Sequence, residues 1–242
     1  MPRAPILLAF DTATSVCSVA LATGGAIHEI ARDVGQRHTE HLLSMVDELF
    51  ASRSLSLGEC DAIAFGAGPG SFTGLRVACG VAQGLAYGID RPVIPVGNLA
   101  AAALDVFEQR PDAQTVLVAQ DARMKEAYVG VYSVAEGRVV EVAAPSLAAP
   151  SDLLAFAARH GADTIAGSAL QAFQHELRAF EGKRVEGTVG TARAVARLAL
   201  AALDAGATVE PAAAAPIYVR DRVALTVEER RARSGPFAQA SA

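Results

Sequence analysis

Three short apolar runs open the chain, "ILLAFD" (6–11), "VCSVALA" (16–22) and "AIHEIARD" (26–33), with "TATS" and "TGG" between them. Runs of this length bounded by Thr, Ser and Gly predict three strands joined by tight turns. The period then changes. In "HTEHLLSMVDELFASR" (38–53), Leu42, Met45, Val46, Leu49 and Phe50 recur three and four residues apart, which predicts an amphipathic helix. "DAIAFG" (61–66) reads as a buried strand, and "GAGPGSFTG" leads into a second helix from residue 71 or 72 to 87. "PVIPV" (92–96) and "NLAAAALDVFEQR" (98–110) add one more strand and one more helix. Three hairpin strands followed by α, β, α, β, α is the order of a ribonuclease H-like half-domain.

The pattern then restarts. "VLVAQDARMKEAYVGVYSVAEGRVVEVA" (116–143) can be laid on residues 7–31, with Asp121 ending its first strand as Asp11 ends the earlier one and "AEG" answering "TGG". An internal repeat at an offset of about 110 residues predicts a duplicated fold. The expected fold class is therefore α/β, two tandem ribonuclease H-like (actin-like) lobes with mixed sheets flanked by helices. The second copy is weaker: a helix in "SDLLAFAARHG", a short strand in "DTIAG" and a helix at 191–206. The expected division is a first lobe at 1–110, a degenerate second lobe at 111–218, and a tail at 219–242 with disorder beyond about residue 230. "VEPAAAAPIY" reads as a linker returning to the first lobe.

Composition narrows the function classes. At 52% hydrophobic residues the 242-residue chain can bury a sizeable core. Its net charge is −5, and the 21 Lys and Arg form no run of five, so no autonomous nucleic-acid footprint is legible. Cys17, Cys60 and Cys79 lie far apart with no C-x-x-C pair, which reads as core thiols in a reducing cytoplasm. The first apolar run meets Asp11 before a signal-peptide core is complete, and no stretch reaches the ~20 apolar residues of a membrane helix. The expectation is a cytoplasmic chain with no membrane contact.

Two turns carry candidate chemistry. "DTATS" offers the Asp11 carboxylate and the hydroxyls of Thr12 and Thr14, the materials of a phosphate-cradling turn or of a self-satisfied hairpin. The glycine loop lacks the G-K-[ST] of a P-loop, the G-x-S-x-G of a nucleophile elbow and the G-x-G-x-x-G of a dinucleotide turn. What remains is a permissive turn feeding a helix N-terminus, with Gly68, Gly70 and Ser71 as a possible anion site. The helix beyond repeats glycine at Gly80, Gly84 and Gly88, a stripe that faces either the protein's own sheet or another molecule. His38 and His41 lack the H-E-x-x-H spacing of a zinc site and read as exposed polar residues. No catalytic or metal-ligating set can be assembled.

In this order, "ILLAFDTATSVCSVAL", "HTEHLLSMVDELF", "DAIAFGAGPGSFTGLRVACGVAQGLAYG", "VLVAQDARMKEAYVGVY" and "PIYVRDRVA" resemble the tRNA threonylcarbamoyladenosine biosynthesis proteins TsaB, once called YeaZ. The resemblance implies an actin/Hsp70/sugar-kinase fold and a role without chemistry of its own. Its paralogue TsaD transfers a threonylcarbamoyl group to N6 of adenosine 37 in ANN-decoding tRNAs, using a metal held partly by an H-x-x-x-H pair. Asn98 and Ala102 stand where those histidines would be, and an amide and a methyl cannot replace two imidazoles. The implied protein needs no cofactor, although weak nucleotide binding at the Asp11 turn stays open. It pairs with TsaD as a scaffold and activator, the TsaE ATPase docks on that pair, it forms homodimers when alone, and it meets tRNA mainly through the complex. The implied pairing surface lies on the first two helices, at His38, His41, Leu42 and Met45 and at Val77, Gly80, Val81 and Gly84. Two other readings are a sugar-kinase-like phosphotransferase using Asp11 and a glycopeptidase-like metalloprotein.

Overall fold

The computed structural model describes residues 3–220. The first sheet is built from β1 (Leu7–Asp11), β2 (Val16–Thr23), β3 (Ala26–Asp33), β4 (Ala62–Gly68) and β5 (Val93–Gly97), in the order β3-β2-β1-β4-β5. β1 and β2 pair antiparallel and β1, β4 and β5 run parallel, as expected of a hairpin meander followed by helical crossovers. Helices α1 (His38–Arg53), α2 (Phe72–Ile89) and α3 (Asn98–Gln109) fill the connections. Both α1 and α2 stop at a residue in the left-handed region, Ser54 and Asp90.

The second sheet repeats that order. It contains β6 (Thr115–Asp121), β7 (Ala127–Ala135), β8 (Arg138–Ala148), β9 (Thr164–Ala166) and β10 (Lys183–Val185), arranged β10-β9-β6-β7-β8. Read from the other edge, each β of the second lobe takes the place of its counterpart in the first. Helices α4 (Leu153–Arg159), α5 (Ala169–Ala172) and α6 (Gln174–Leu177) cover its outer face, and α7 (Ala192–Asp204) follows. This is the duplicated ribonuclease H-like, actin-like arrangement the repeat predicts.

Successive residues of a strand point to opposite faces, so each sheet serves two cores. Leu8, Phe10, Val19, Ile63 and Phe65 point toward α1 and α2, whereas Leu7, Ala9, Ala20, Ala62 and Ala64 point toward α7. In the second sheet Leu117, Val129 and Ile165 meet α4, α5 and α6, while Val116, Val118 and Tyr132 meet α3.

Two helices therefore depart from the division at 110. α3, assigned by chain order to the first lobe, lays Leu99, Ala103 and Val106 on the second sheet. α7, assigned to the second, buries Ala192, Val195, Ala196 and Ala199 against the first. The reason is local: of the first sheet's small apolar face α3 reaches only a part, through Ala101 and Leu104, and α7 is alanine-rich enough to approach the rest closely. Ser18 Oγ and the Glu29 carboxylate then anchor the start of α7, accepting from the Ala192 and Arg193 amides.

Residues 205–220 return to the first lobe, as the linker reading expects. Val209 bridges to Val93, the Ile217 amide donates to the Ala67 carbonyl, and Gln83 and Cys79 of α2 donate to the Ala214 carbonyl. The expected disorder beyond residue 230 lies outside the described residues. No helix among the described residues is long and apolar enough to cross a membrane.

Candidate functional site

Asp11 ends β1 and is 2% exposed. Its Oδ1 accepts from the Ala13 amide at 3.1 Å and its Oδ2 from Asn98 Nδ2 at 2.5 Å. Asn98 in turn accepts from the Gly68 amide at 2.6 Å, so both polar ends of its side chain are occupied. This buried chain ties the ends of β1 and β4 and the start of α3 together. Asn98 has a packing role here, which its reading as a lost ligand position did not anticipate.

The glycines of the loop are shaped by that joint. A Cβ on Gly66 would overlap Asp11 Oδ2 and stand 2.8 Å from Asn98 Nδ2. One on Gly70 would come 2.6 Å from the Ala13 Cβ, and one on Gly74 would overlap the Thr12 carbonyl oxygen. These residues lack side chains because the "DTATS" turn is pressed against them. Of the groups assigned to a phosphate, the Thr12 hydroxyl and the Ser71 amide donate within the joint, while the Thr14 and Ser71 hydroxyls serve it as acceptors. Thr12 Oγ1 donates to the Gly74 carbonyl at 2.8 Å, Thr14 Oγ1 accepts from the Val16 amide, the Ser71 amide donates to the Ala13 carbonyl, and Ser71 Oγ caps the Gly74 amide. Gly68 faces the Ile217 carbonyl, 2.5 Å from where its Cβ would be. Two of these bonds, from Thr12 to the Gly74 carbonyl and from the Ser71 amide to the Ala13 carbonyl, join the two candidate turns.

The implied pairing residues divide by face. Leu42 and Met45 are fully buried in the core beneath α1, so they cannot touch a partner. Their three-four spacing marks the inward side of an amphipathic helix. His38 is also buried, beside the Thr14 carbonyl, and burial lowers its pKa; His41 is half-buried. The reading of these histidines as exposed polar residues is corrected accordingly, since α1 begins underneath the β1–β2 turn. Val77 and Val81 are half-buried against the core. Gly80, Gly84 and Gly88 face away from the sheet, and a Cβ on any of them would meet none of the described residues within 4 Å. The inward side of α2 is Leu75, Ala78, Cys79, Ala82 and Ala86. Sequence reasoning missed that the same four-residue step includes exposed Phe72 and Arg76, and that Tyr87 on α2 and Leu43 on α1 are exposed.

Comparison with known proteins now bears on this geometry. The family model described as "TsaD: tRNA N6-adenosine threonylcarbamoyltransferase" matches residues 12–226. A solved structure of YeaZ from Pseudomonas aeruginosa superposes with a TM-score of 0.79 at 33% identity, covering 88% of this chain and 99% of that one. The chain belongs to the TsaD family, in its TsaB (YeaZ) group. TsaB of Haemophilus influenzae is 52% identical over 122 residues, 50% of this chain and 51% of the relative. TsaB of Escherichia coli is 42% identical over 126 residues, 52% and 54% of the two chains. These matches span about half the length of the curated TsaB relatives.

Within this TsaB-type fold the joint has a pH signature. Burial pushes the Asp11 carboxyl up to about 6, against the opposing pull of the Ala13 amide and the Asn98 amide. Burial likewise raises Asp105 to about 6 on α3, with Glu108 and Glu29 adding to the rise and the residue-191 backbone opposing it. A carboxyl raised on folding favours the native state fully below its unfolded value, near 4, and that contribution is lost as pH rises through 6. Each group should therefore remove on the order of 2–3 kcal/mol between about pH 4 and pH 7. Urea midpoints at about pH 5 and pH 7.5 should differ, and Asp11→Asn should shrink the difference. An unchanged difference in that variant would assign the pH dependence elsewhere.

Proposed function

We propose that the protein is a subunit of tRNA threonylcarbamoyladenosine biosynthesis that does no chemistry itself and activates a TsaD-type partner by pairing through the outer face of α2, with α1 beside it. TsaE docks on that pair in this reading, and the same face serves a homodimer when the partner is missing. The names of the relatives and the family model support the pathway. The observation that carries the pairing is the open glycine stripe.

Each interior glycine costs a helix about 0.5–1 kcal/mol relative to alanine. Gly80, Gly84 and Gly88 recover none of it among the described residues, since none of these approaches within 4 Å of their missing Cβ positions. A surface of this kind suits the close approach of a second helix. Asp11 and the glycine loop, joined through Asn98, supply the base from which α2 projects. No phosphoryl or metal step is required of them.

The expected result separates the two uses of the stripe. Gly84→Ala should raise stability by about 0.5–1 kcal/mol, since it removes a helix penalty and fills open space. Gly84→Leu should fold normally yet weaken capture of purified TsaD at least tenfold, with a matching loss of tRNA modification in the reconstituted reaction. Wild-type capture and modification by Gly84→Leu would sink the proposed interface.

A further inference from the structure

At the first turn of α2 the stripe changes character. The Arg76 guanidinium lies 3.7 Å over the Phe72 ring and donates from Nε to Tyr218 Oη at 3.0 Å. The Phe72 and Tyr218 rings are 5.7 Å apart, and both residues stay exposed, at 43% and 46%. Two residues on, Arg220 reaches the second lobe. It pairs with Glu126 and approaches Met124 Sδ at 3.8 Å. The chain thereby sets an aromatic platform beside the β6–β7 turn.

That turn is strained. Arg123, Met124 and Lys125 all have left-handed backbone, at φ 62°, 54° and 60°, and none is glycine. Each such residue costs roughly 1–2 kcal/mol, and strain of this kind collects at sites with a task. Here it lifts the Arg123 side chain to 88% exposure and Met124 to 70%, beside Lys125. Among the described residues the local carboxylates, Asp121 and Glu126, already face Arg123 and Arg220, so Arg76 and Lys125 leave the corner positive on a chain of net charge −5.

We infer that this corner, Phe72, Arg76 and Tyr218 with the Arg123–Met124–Lys125 turn, is a contact for RNA, the rings stacking on an unpaired base and the turn meeting the adjoining phosphates. Exposed aromatic rings joined to a guanidinium suit RNA better than an acidic protein, because every base offers a face to stack on while the cations follow the backbone. The choice of RNA rests on the pathway proposed above; the location rests on the geometry. It revises the expectation that RNA is met mainly through partners, and no run of basic residues betrays the corner because it is assembled from residues far apart in the chain.

The test is fluorescence anisotropy of a labelled, unmodified tRNA transcript, with the full chain alone and with its TsaD complex, from about 50 to 200 mM salt. Arg123→Glu with Lys125→Glu should weaken binding about tenfold or more and reduce the salt slope by about 1.5. Phe72→Ala should weaken it about tenfold with the slope unchanged. Thermal melting and TsaD capture should match wild type for the turn variant. No tRNA binding by either wild-type sample, or binding within twofold of wild type for both variants, overturns the inference. Loss of TsaD capture in the turn variant with RNA binding unchanged also overturns it, by making the corner a protein contact. Either result leaves the Gly84→Leu test of the proposed function standing.

Discussion

Gly66→Ala is expected to destabilise the protein by about 3 kcal/mol or more, a large share of the stability of a typical domain. The added methyl has nowhere to go. It would occupy the place of Asp11 Oδ2, with Asn98 Nδ2 beside it at 2.8 Å, and both belong to a buried joint. Moving the carboxylate would break its bond from Asn98 and strand a buried charge, which costs more than the overlap alone. Urea unfolding should show the loss, and Asp11→Ala should recover part of it in the double variant by vacating the space. A Gly66→Ala chain as stable as wild type would mean that the joint yields more easily than its hydrogen bonds imply.

The second large effect is expected at Leu42. Leu42→Ala should cost about 2–5 kcal/mol, the range for emptying a packed core position, whereas Leu43→Ala next to it should cost well under 1 kcal/mol. Leu42 is 0% exposed among Phe10, Met45 and Phe65, and Leu43 is 50% exposed. Partner binding per folded molecule should survive Leu42→Ala. Unfolding curves for the two variants, followed by capture at a temperature where both are folded, would check this. Normal stability with lost capture for Leu42→Ala would return that residue to the interface.

The contrast between Leu42 and Gly84 bears on what a sequence can disclose. Short apolar runs between turn residues and the 3.6 period placed the first five strands and the first three helices within about two residues, because burial leaves those patterns directly in the chain. The same periodicity in residues 38–53 already marked Leu42 and Met45 as inward; their assignment to a pairing surface came from the family's helices taken whole, without regard to face. The stripe at Gly80 and Gly84 was visible, but glycine has no side chain to reveal which way it points. Asp11 was legible as unusual, while its bond to Asn98 spans 87 residues and has no local signature. The exchange of α3 and α7 between sheets was illegible for a similar reason, since chain order says nothing of which uncovered face a helix will choose.

That exchange has a consequence for biosynthesis. While the ribosome has released only the first 110 residues, the strands β1 to β5 can pair, yet most of the alanine-lined side of their sheet lacks its cover until α7 emerges some 80 residues later. Domains synthesised in order usually finish one at a time. Here neither lobe can be completed without the other's segment, so the nascent first half is an open, adhesive intermediate that must be shielded or held until residue 204 has left the exit tunnel.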